Sequence, residues 1–256
     1  MKKMIFTVIV FLFILTGCVS ILNEEDTDEY RALSSQYEEF VIHDIGQIDQ
    51  FQAFVNKATF ESILSNVMIK VQLFNDLNNL VETRTGSGVI FIDSGSFHYV
   101  LTSFNLTYPA DYSATYQIFD YQGRTSTGYI DVVSEEHNLS VIRYLKARWD
   151  MLPTIEIAED LSLPGEPMLL FGYKGQMMNA MIMGLMIENT DINDDTQRFF
   201  HTSIPSDLYA NGGAIINVNN ELVGIQIDVL DGNCYAVSII EIKALVDLFN
   251  ERHAIN

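Results

Sequence analysis

The sequence predicts an all-β fold of two six-stranded antiparallel β-barrels. From Ile63 onward, short runs rich in Val, Ile, Phe and Tyr alternate with turns containing Gly, Asp and Ser. Many short strands at this spacing are typical of an antiparallel barrel or sandwich rather than of parallel α/β units. The runs form two consecutive sets of six, separated by a linker-like passage that holds Pro153 and Pro164. Two such groups with a single crossover indicate a double barrel.

The predicted organisation has four parts along the 256 residues. They are a signal peptide (1–17), an acidic, partly helical spacer (18–60), the first barrel (61–152), and the second barrel with a C-terminal helix (153–256). Inside the spacer, a helix is expected between about Asp26 and Val41. The end of the spacer is expected to pack on the first barrel through Phe51, Phe54, Val55 and Phe60.

The N-terminus predicts secretion and lipid attachment. The segment MKKMIFTVIVFLFILTGC begins with two lysines, continues with an apolar run from Met4 to Leu15, and reaches small residues before Cys18. This is the pattern of a secretory signal, and the run is short for a membrane span. The last four residues resemble the bacterial lipobox, which implies cleavage before Cys18 and a two-chain lipid anchor on its thiol. The alternative is a plain signal peptide with an incidental cysteine. The mature protein is expected to be extracytoplasmic, on the outer face of a bacterial cell membrane.

Charge and cysteine content exclude several classes of function. The formal net charge is −20, which repels phosphate backbones and anionic head groups, so no nucleic-acid partner is expected. Cys234 is the one cysteine besides Cys18, so an internal disulfide framework is excluded. Its surroundings, GNCYAVSI, predict a small core residue in a buried strand.

The C-terminal segment SIIEIKALVDLFNERH predicts an amphipathic helix. Ser238 followed three residues later by Glu241 resembles a capping box. One apolar face is expected to pack on the second barrel, and it consists of Ile242, Leu245, Val246 and Phe249.

From about Ile63 to Phe249 the chain resembles the protease domain of HtrA/DegP-type, trypsin-like serine peptidases. The matching stretches, in order, are GSGVIF, YVLTSFNL, NLSVIRY, PGEPMLLFGY, NAMIMGLM and HTSIPSDLYANGGAIINVNNELVGI. The second, third and sixth resemble the segments that carry the catalytic His, Asp and Ser. The resemblance implies two six-stranded barrels.

At the three catalytic positions this chain carries asparagine. The resemblance places Asn105 at the His position, Asn138 at the Asp position and Asn211 at the Ser position. Acyl transfer needs a nucleophile, a base to deprotonate it and an anion to stabilise the protonated base. A carboxamide supplies none of these at neutral pH, so a catalytically inactive domain is expected.

The resemblance also implies a vestigial oxyanion hole and a cleft. The hole would use the backbone N–H groups of Tyr209 and Asn211, and Tyr209 replaces a glycine whose backbone turns freely. Peptides would lie as an extended strand along the cleft. The candidate cleft consists of Tyr209, Gly224, Ile225, Gln226 and Ile227.

Other residues offer alternative chemistry. His98, His137 and His201 are candidate bases, and Ser203 and Ser206 follow His201 closely enough for a relocated Ser-His pair. His137 and Asn138 are expected on opposite faces of a strand. Asn211-Gly212 could instead form a tight hairpin turn, although that would leave the matched segments on both sides unexplained.

Two remaining patterns predict structure rather than binding. Five methionines in GQMMNAMIMGLM favour a Met-filled core over a Met-rich binding surface. The segment ENTDINDDTQ, with Asp191, Asn193, Asp194 and Asp195, lacks the glycine and glutamate of an EF-hand, so a solvated loop is expected. No metal or cofactor is expected.

The sequence therefore predicts a membrane-anchored pseudopeptidase that binds a protein or an extended peptide. One alternative is a structural or interaction lipoprotein with a vestigial cleft, which would bind a partner through another face. The other is an active peptidase with relocated catalytic residues.

Overall fold

A computed structural model describes residues 48–147, 152–174, 177–189 and 197–254, and it confirms two closed barrels of six antiparallel strands. The first barrel consists of β1 (Asn66–Phe74), β2 (Leu80–Asp93), β3 (Phe97–Ser103), β4 (Ser113–Phe119), β5 (Thr125–Ser134) and β6 (Leu139–Leu145). The second consists of β7 (Pro167–Lys174), β8 (Met177–Asn189), β9 (Phe199–Pro205), β10 (Ala214–Ile216), β11 (Leu222–Leu230) and β12 (Asn233–Ser238). The proposed signal peptide, Cys18, the helix expected at 26–41 and the acidic loop at 191–195 lie outside the described residues.

Three α-helices and two 3-10 turns complete the described chain. They are α1 (Ile48–Phe60), a 3-10 turn (Ser62–Ser65), α2 (Phe104–Thr107), a 3-10 turn (Leu208–Ala210) and α3 (Ile239–Ala254). None of the helices in the described ranges is both long enough and apolar enough to cross a membrane.

Alternate apolar side chains of the strands fill the interior of each barrel. In β1, every second side chain is fully buried, and these residues are Val67, Ile69, Val71 and Leu73. They form the interior of the first barrel with residues such as Ile118 and Ile142. The interior of the second barrel includes Met168, Met186 and Cys234. Cys234 occupies a core position, as the sequence predicts. Of the methionines in the Met-rich segment, Met186 is buried, but Met181 is only partly buried and Met183 is 41% exposed, so the expected Met-filled core is confirmed only in part. Burial raises the pKa of the Cys234 thiol, so the thiolate is disfavoured.

A third apolar cluster joins the two barrels. It combines outward-facing residues of both barrels, such as Leu101 and Phe171, with Phe54 of α1 and with Leu245 and Phe249 of α3. The linker between the barrels adds backbone bonds to the same region: Ile155 N–H donates to Ile90 O at 2.9 Å and Leu222 N–H donates to Glu156 O at 2.7 Å. The two barrels are therefore packed together through one shared apolar cluster.

The α1 helix packs on this cluster by one face only. Phe54 and Ala58 are buried, and Val55 packs against them at the edge of the cluster. Phe60 is 71% exposed, so the expectation that it packs on the barrel is wrong. Its position follows from the helical period, because residue 60 lies on a different face from residues 54 and 58.

The cap of α3 differs from the predicted capping box. Ser238 Oγ accepts from Ile240 N–H at 3.3 Å, so the serine does cap the helix. Glu241 does not reach back to Ser238 N–H, which donates to Arg198 O instead. The predicted apolar face is confirmed, with Ile242, Leu245 and Phe249 buried and Val246 partly buried.

Glu241 forms a buried ion cluster between the barrels. Its carboxylate accepts from Arg198 Nε at 2.6 Å and lies 2.7 Å from His137 Nδ1, while Arg198 also donates to Glu136 O. Burial alone would raise the pKa of Glu241, but the hydrogen bonds from Arg198 and His137 outweigh it and hold the pKa below its ordinary 4.5. The cluster ties α3 and the start of β9 to the turn before β6.

Replacing Glu241→Gln should lower the free energy of unfolding by about 2 kcal/mol at pH 7, since it leaves Arg198 without its anion. A carboxyl whose pKa is lowered by folding stabilises the protein above its unfolded pKa, and this contribution is lost as the pH falls through the folded pKa. The difference between wild type and variant in chemical unfolding should therefore shrink below about pH 4.5.

Glu251→Gln, on an exposed position of the same helix, serves as the control and should change stability by less than about 0.5 kcal/mol. A Glu241→Gln penalty that stays constant between about pH 7 and pH 3 would contradict the assigned role of the carboxylate.

Candidate functional site

The structure brings the segments of the three asparagines to the seam between the barrels. Asn105 lies in α2, directly after β3, and Asn138 ends the turn that precedes β6. Asn211 follows the 3-10 turn Leu208–Ala210. Phe104 N–H donates to Asn138 O at 3.0 Å, which joins the first two segments.

The absence of a side chain at Gly86 lets the Asn211 segment approach the helix that contains Asn105. A Cβ on Gly86 would lie 2.6 Å both from Asn211 O and from the side chain of Leu106, so only glycine leaves space for the two to meet over β2. Asn105 is exposed, while Asn138 and Asn211 are partly buried. The Oδ1 atoms of Asn138 and Asn211 are buried and have no hydrogen-bond partner in the described part of the chain. The seam thus holds two carboxamide acceptors whose bonding capacity is unused.

Asn138 adopts a left-handed backbone conformation, with φ of 54°. Asparagine tolerates this region better than most residues because its short side chain can bond locally. His137 and Asn138 therefore lie in a turn, and the expectation that they occupy opposite faces of a strand is wrong. His137 is directed to Glu241 instead.

Ser87 connects the seam through three atoms. Its N–H donates to Asn211 O at 2.7 Å, and its carbonyl accepts from Thr102 Oγ1 at 2.7 Å. Its Oγ accepts from Tyr173 N–H at 2.6 Å. The side chain is fully buried. One serine of the first barrel therefore fixes the positions of β7 and of the Asn211 loop of the second barrel.

The loop from Asp207 to Gly213 uses its own backbone donors. Tyr209 N–H donates to the Asp207 carboxylate at 3.0 Å, and Asn211 N–H donates to Leu208 O at 3.2 Å. These are the two donors that the family resemblance assigns to an oxyanion hole. Both point into the 3-10 turn, so neither N–H is free for an oxyanion. The same geometry shows that Asn211-Gly212 is not a hairpin turn.

Gln226 on β11 holds this loop in place through both its side chain and its backbone. Its side chain is fully buried, accepts from Ser206 Oγ at 2.6 Å and donates to Asp207 O at 2.9 Å. Its backbone bonds with Gly212 N–H at 2.8 Å and with Gly213 O at 2.9 Å. This role could not be predicted from the sequence, since a glutamine in an apolar strand is equally compatible with an exposed position.

Of the five candidate cleft residues only Tyr209 is exposed, whereas Gly224, Ile225, Gln226 and Ile227 are all buried. Tyr209 is 51% exposed and its ring lies edge-on to Tyr173, with centroids 6.1 Å apart. Gly224 and Ile225 are buried between β10 and β12, and each pairs with both neighbouring strands. The backbone N–H and carbonyl of Gln226 bond to Gly213 and Gly212, so a peptide could pair only with the later part of β11. Along Asp228–Leu230, β12 is the one strand partner found among the described strands.

The alternative catalytic residues are not arranged as a pair. His201 lies on β9 with Nε2 3.3 Å from Leu230 O. Ser203 Oγ accepts from Leu185 N–H, and Ser206 Oγ donates to Gln226. His98 is fully buried beside the ring of Tyr144. Within the described ranges, no group of three His, Cys, Asp or Glu residues could hold a metal ion.

Comparison with solved structures finds the same architecture in a peptidase. A serine endoprotease from Yersinia pestis matches with a TM-score of 0.61 and 22% sequence identity, over 76% of this chain and 65% of that chain. This chain therefore spans less than two thirds of the length of that protein. No family model and no curated protein matches the sequence. At this identity the likeness shows the fold: the chain has the trypsin-like double-barrel fold.

Gly212 should be the least replaceable glycine of the site. It has φ of 84°, and a Cβ would lie 2.1 Å from Ser87 O and 2.2 Å from Thr102 Oγ1. Gly212→Ala should therefore destabilise the protein by more than about 3 kcal/mol, as measured by denaturant unfolding.

Gly95→Ala is the matched control, because Gly95 has the same φ of 84° with nothing within 4 Å of its Cβ position. It should cost only about 1 kcal/mol, the price of the backbone conformation alone. Equal losses for the two variants would mean that the seam is not closely packed around Gly212.

Proposed function

We propose that this chain is an extracytoplasmic, lipid-anchored pseudopeptidase that binds protein or peptide segments without cleaving them. The observation that carries the proposal is the seam itself. It joins the segments of three asparagines, which the resemblance assigns to the triad positions, to a loop whose two candidate oxyanion donors are bonded internally.

The side chains support inactivity on chemical grounds. A carboxamide neither gains nor loses a proton near neutral pH, so it cannot serve as the base, and its oxygen is a poor nucleophile. Loss of the triad costs about a millionfold in turnover in a serine protease, and the remainder depends on the oxyanion hole and binding. With Tyr209 and Asn211 N–H groups engaged, that remainder has no structural support here either.

The loop and β11 support binding of an extended segment. A peptide can add to a sheet edge through main-chain bonds, and this mode needs no catalytic group. Along Asp228–Leu230, β12 is the one strand partner found among the described strands, and Leu230 is 46% exposed. Val229 N–H donates to Asp228 Oδ1 at 2.8 Å, so an incoming peptide would displace that side chain in order to pair there. Tyr209 and Tyr173 form an aromatic surface beside the Asn211 loop, suited to the apolar side chains of such a peptide. We define Tyr173, Tyr209 and Asp228–Leu230 as the β11 cleft.

The location of the protein is proposed from its N-terminal sequence alone. The lysines, the apolar run and Cys18 support export and lipid attachment, which would hold the domain at the outer face of the cell membrane. The partner would then be an extracytoplasmic protein or peptide.

The binding proposal predicts a specific effect of Tyr209→Ala. In fluorescence binding measurements with a library of extended peptides of about nine residues, the full chain should capture a subset of sequences. Tyr209→Ala should weaken their binding about tenfold, because it removes the exposed ring of the β11 cleft. N-methylation of alternate peptide residues should abolish capture by blocking main-chain pairing.

Tyr129→Ala is the matched control, since Tyr129 is a 57% exposed tyrosine on β5 of the first barrel. Equal affinity of the Tyr209→Ala variant and wild type would count against the β11 cleft. Peptide crosslinks confined to a face remote from Asn211 would instead support an interaction lipoprotein with a vestigial cleft.

A further inference from the structure

The hairpin between β1 and β2 has an internally bonded tip. Asn75 Oδ1 accepts from Leu77 N–H at 3.1 Å and from Asn79 N–H at 3.0 Å. The backbone adds bonds from Asn75 N–H to Asn79 O and from Asn78 N–H to Asn75 O, with Asn78 at φ of 61°. These bonds hold the turn in one conformation, so a partner would not need to order it on binding.

This tip presents apolar side chains to solvent. Leu77 is 80% exposed, and Leu80 and Val81 at the start of β2 and Tyr112 just before β4 are exposed as well. Phe74 on β1 pairs with Leu80 on one side and with Ser113 on the other, which brings Tyr112 to the same end of the barrel. We call this set the tip patch, and it consists of Leu77, Leu80, Val81 and Tyr112.

Arg84 fixes the two sides of the tip patch to each other. It forms two bonds with the Glu82 carboxylate, at 2.8 and 2.9 Å, and donates to Tyr108 O at 2.7 Å. β2 is thereby tied to the segment that leads into Tyr112. Contiguous apolar surface of a few hundred Å² on a soluble protein commonly marks an interaction site.

The rim of the tip patch is acidic. Asp76 and Asp111 are exposed and have no ion-pair partner within the described ranges, and Glu82 is already neutralised by Arg84. An apolar centre with a negative rim is complementary to an apolar pocket with a positive rim.

The same charges disfavour the other occupants of this surface. In a two-fold dimer the patch would meet itself, so Asp76 and Asp111 would face like charges in a chain of net charge −20. Anionic lipid head groups would be repelled for the same reason. A basic protein surface is the occupant that the charges favour.

We propose that the tip patch docks a second protein, through an apolar pocket rimmed by Lys or Arg side chains. The surface lies on the β1–β2 hairpin and shares no residue with the β11 cleft. It would add a protein–protein function to the first barrel.

The test is site-specific photocrosslinking of the full-length protein in the cells that produce it. A benzophenone amino acid replaces Leu77, and in the control it replaces Leu145, which is 64% exposed at the other end of the same barrel. Proteins that crosslink from position 77 and not from position 145 are identified, purified and titrated against the full-length chain. Asp76→Lys/Asp111→Lys reverses the rim, and Leu77→Asp removes the apolar centre.

The expected result is one protein partner whose binding is weakened more than about tenfold by either variant and weakens as salt rises from about 50 to about 500 mM. Both variants change exposed residues, and unchanged thermal unfolding would show that they fold. Adducts between two copies or within one chain would overturn the proposal. So would the absence of adducts specific to position 77, binding to neutral or anionic vesicles in place of a protein, or a partner indifferent to the charge reversal.

Discussion

The contact of Ser87 with the second barrel is the constraint on which the site depends. Three polar atoms of this one buried residue bond to the Asn211 loop, to Thr102 and to β7. Such close approach is feasible because Gly212 and Gly86 have no side chain at positions where a Cβ would meet backbone or side-chain atoms of the seam. The N–H, the carbonyl and the Oγ of this buried residue each have a partner, so a displacement would leave buried polar atoms unpaired. The position of Asn211 relative to Asn105 and Asn138 follows from it.

Much of the fold could be predicted from the sequence because barrels impose a local pattern. The alternation of apolar and polar residues in segments such as β1, and the interruption of the strand pattern near Pro153, can each be recognised from a short stretch of sequence. The apolar face of α3 is likewise local, at a helical period. The three asparagines could be assigned to triad positions because the resembling segments on both sides set their register, and this assignment stays a prediction. Their arrangement at one seam then depends only on the two barrels being folded correctly.

The remaining features depend on partners far away in sequence. Glu241 looks like a capping residue until Arg198 and His137 are placed beside it. Gln226 looks like any strand residue until the loop folds over it. The hydrogen bond of Tyr209 N–H depends on the rotamer of Asp207, and the pattern of apolar residues in the sequence does not predict a rotamer. Sequence patterns therefore predict where a site would lie, but they do not determine which of its hydrogen bonds are already used.

The most direct test of the account is labelling with diisopropyl fluorophosphate, a small reagent that reports an activated serine. Wild type should not react, and Asn105→His/Asn138→Asp/Asn211→Ser should fold but react slowly, because Tyr209 N–H still bonds to Asp207. Adding Asp207→Ala frees that donor and should accelerate labelling at position 211 by about a hundredfold. Equal rates with and without the Asp207 change would show that the loop does not limit the chemistry. Labelling of wild type would contradict the central claim that this domain has lost its nucleophile.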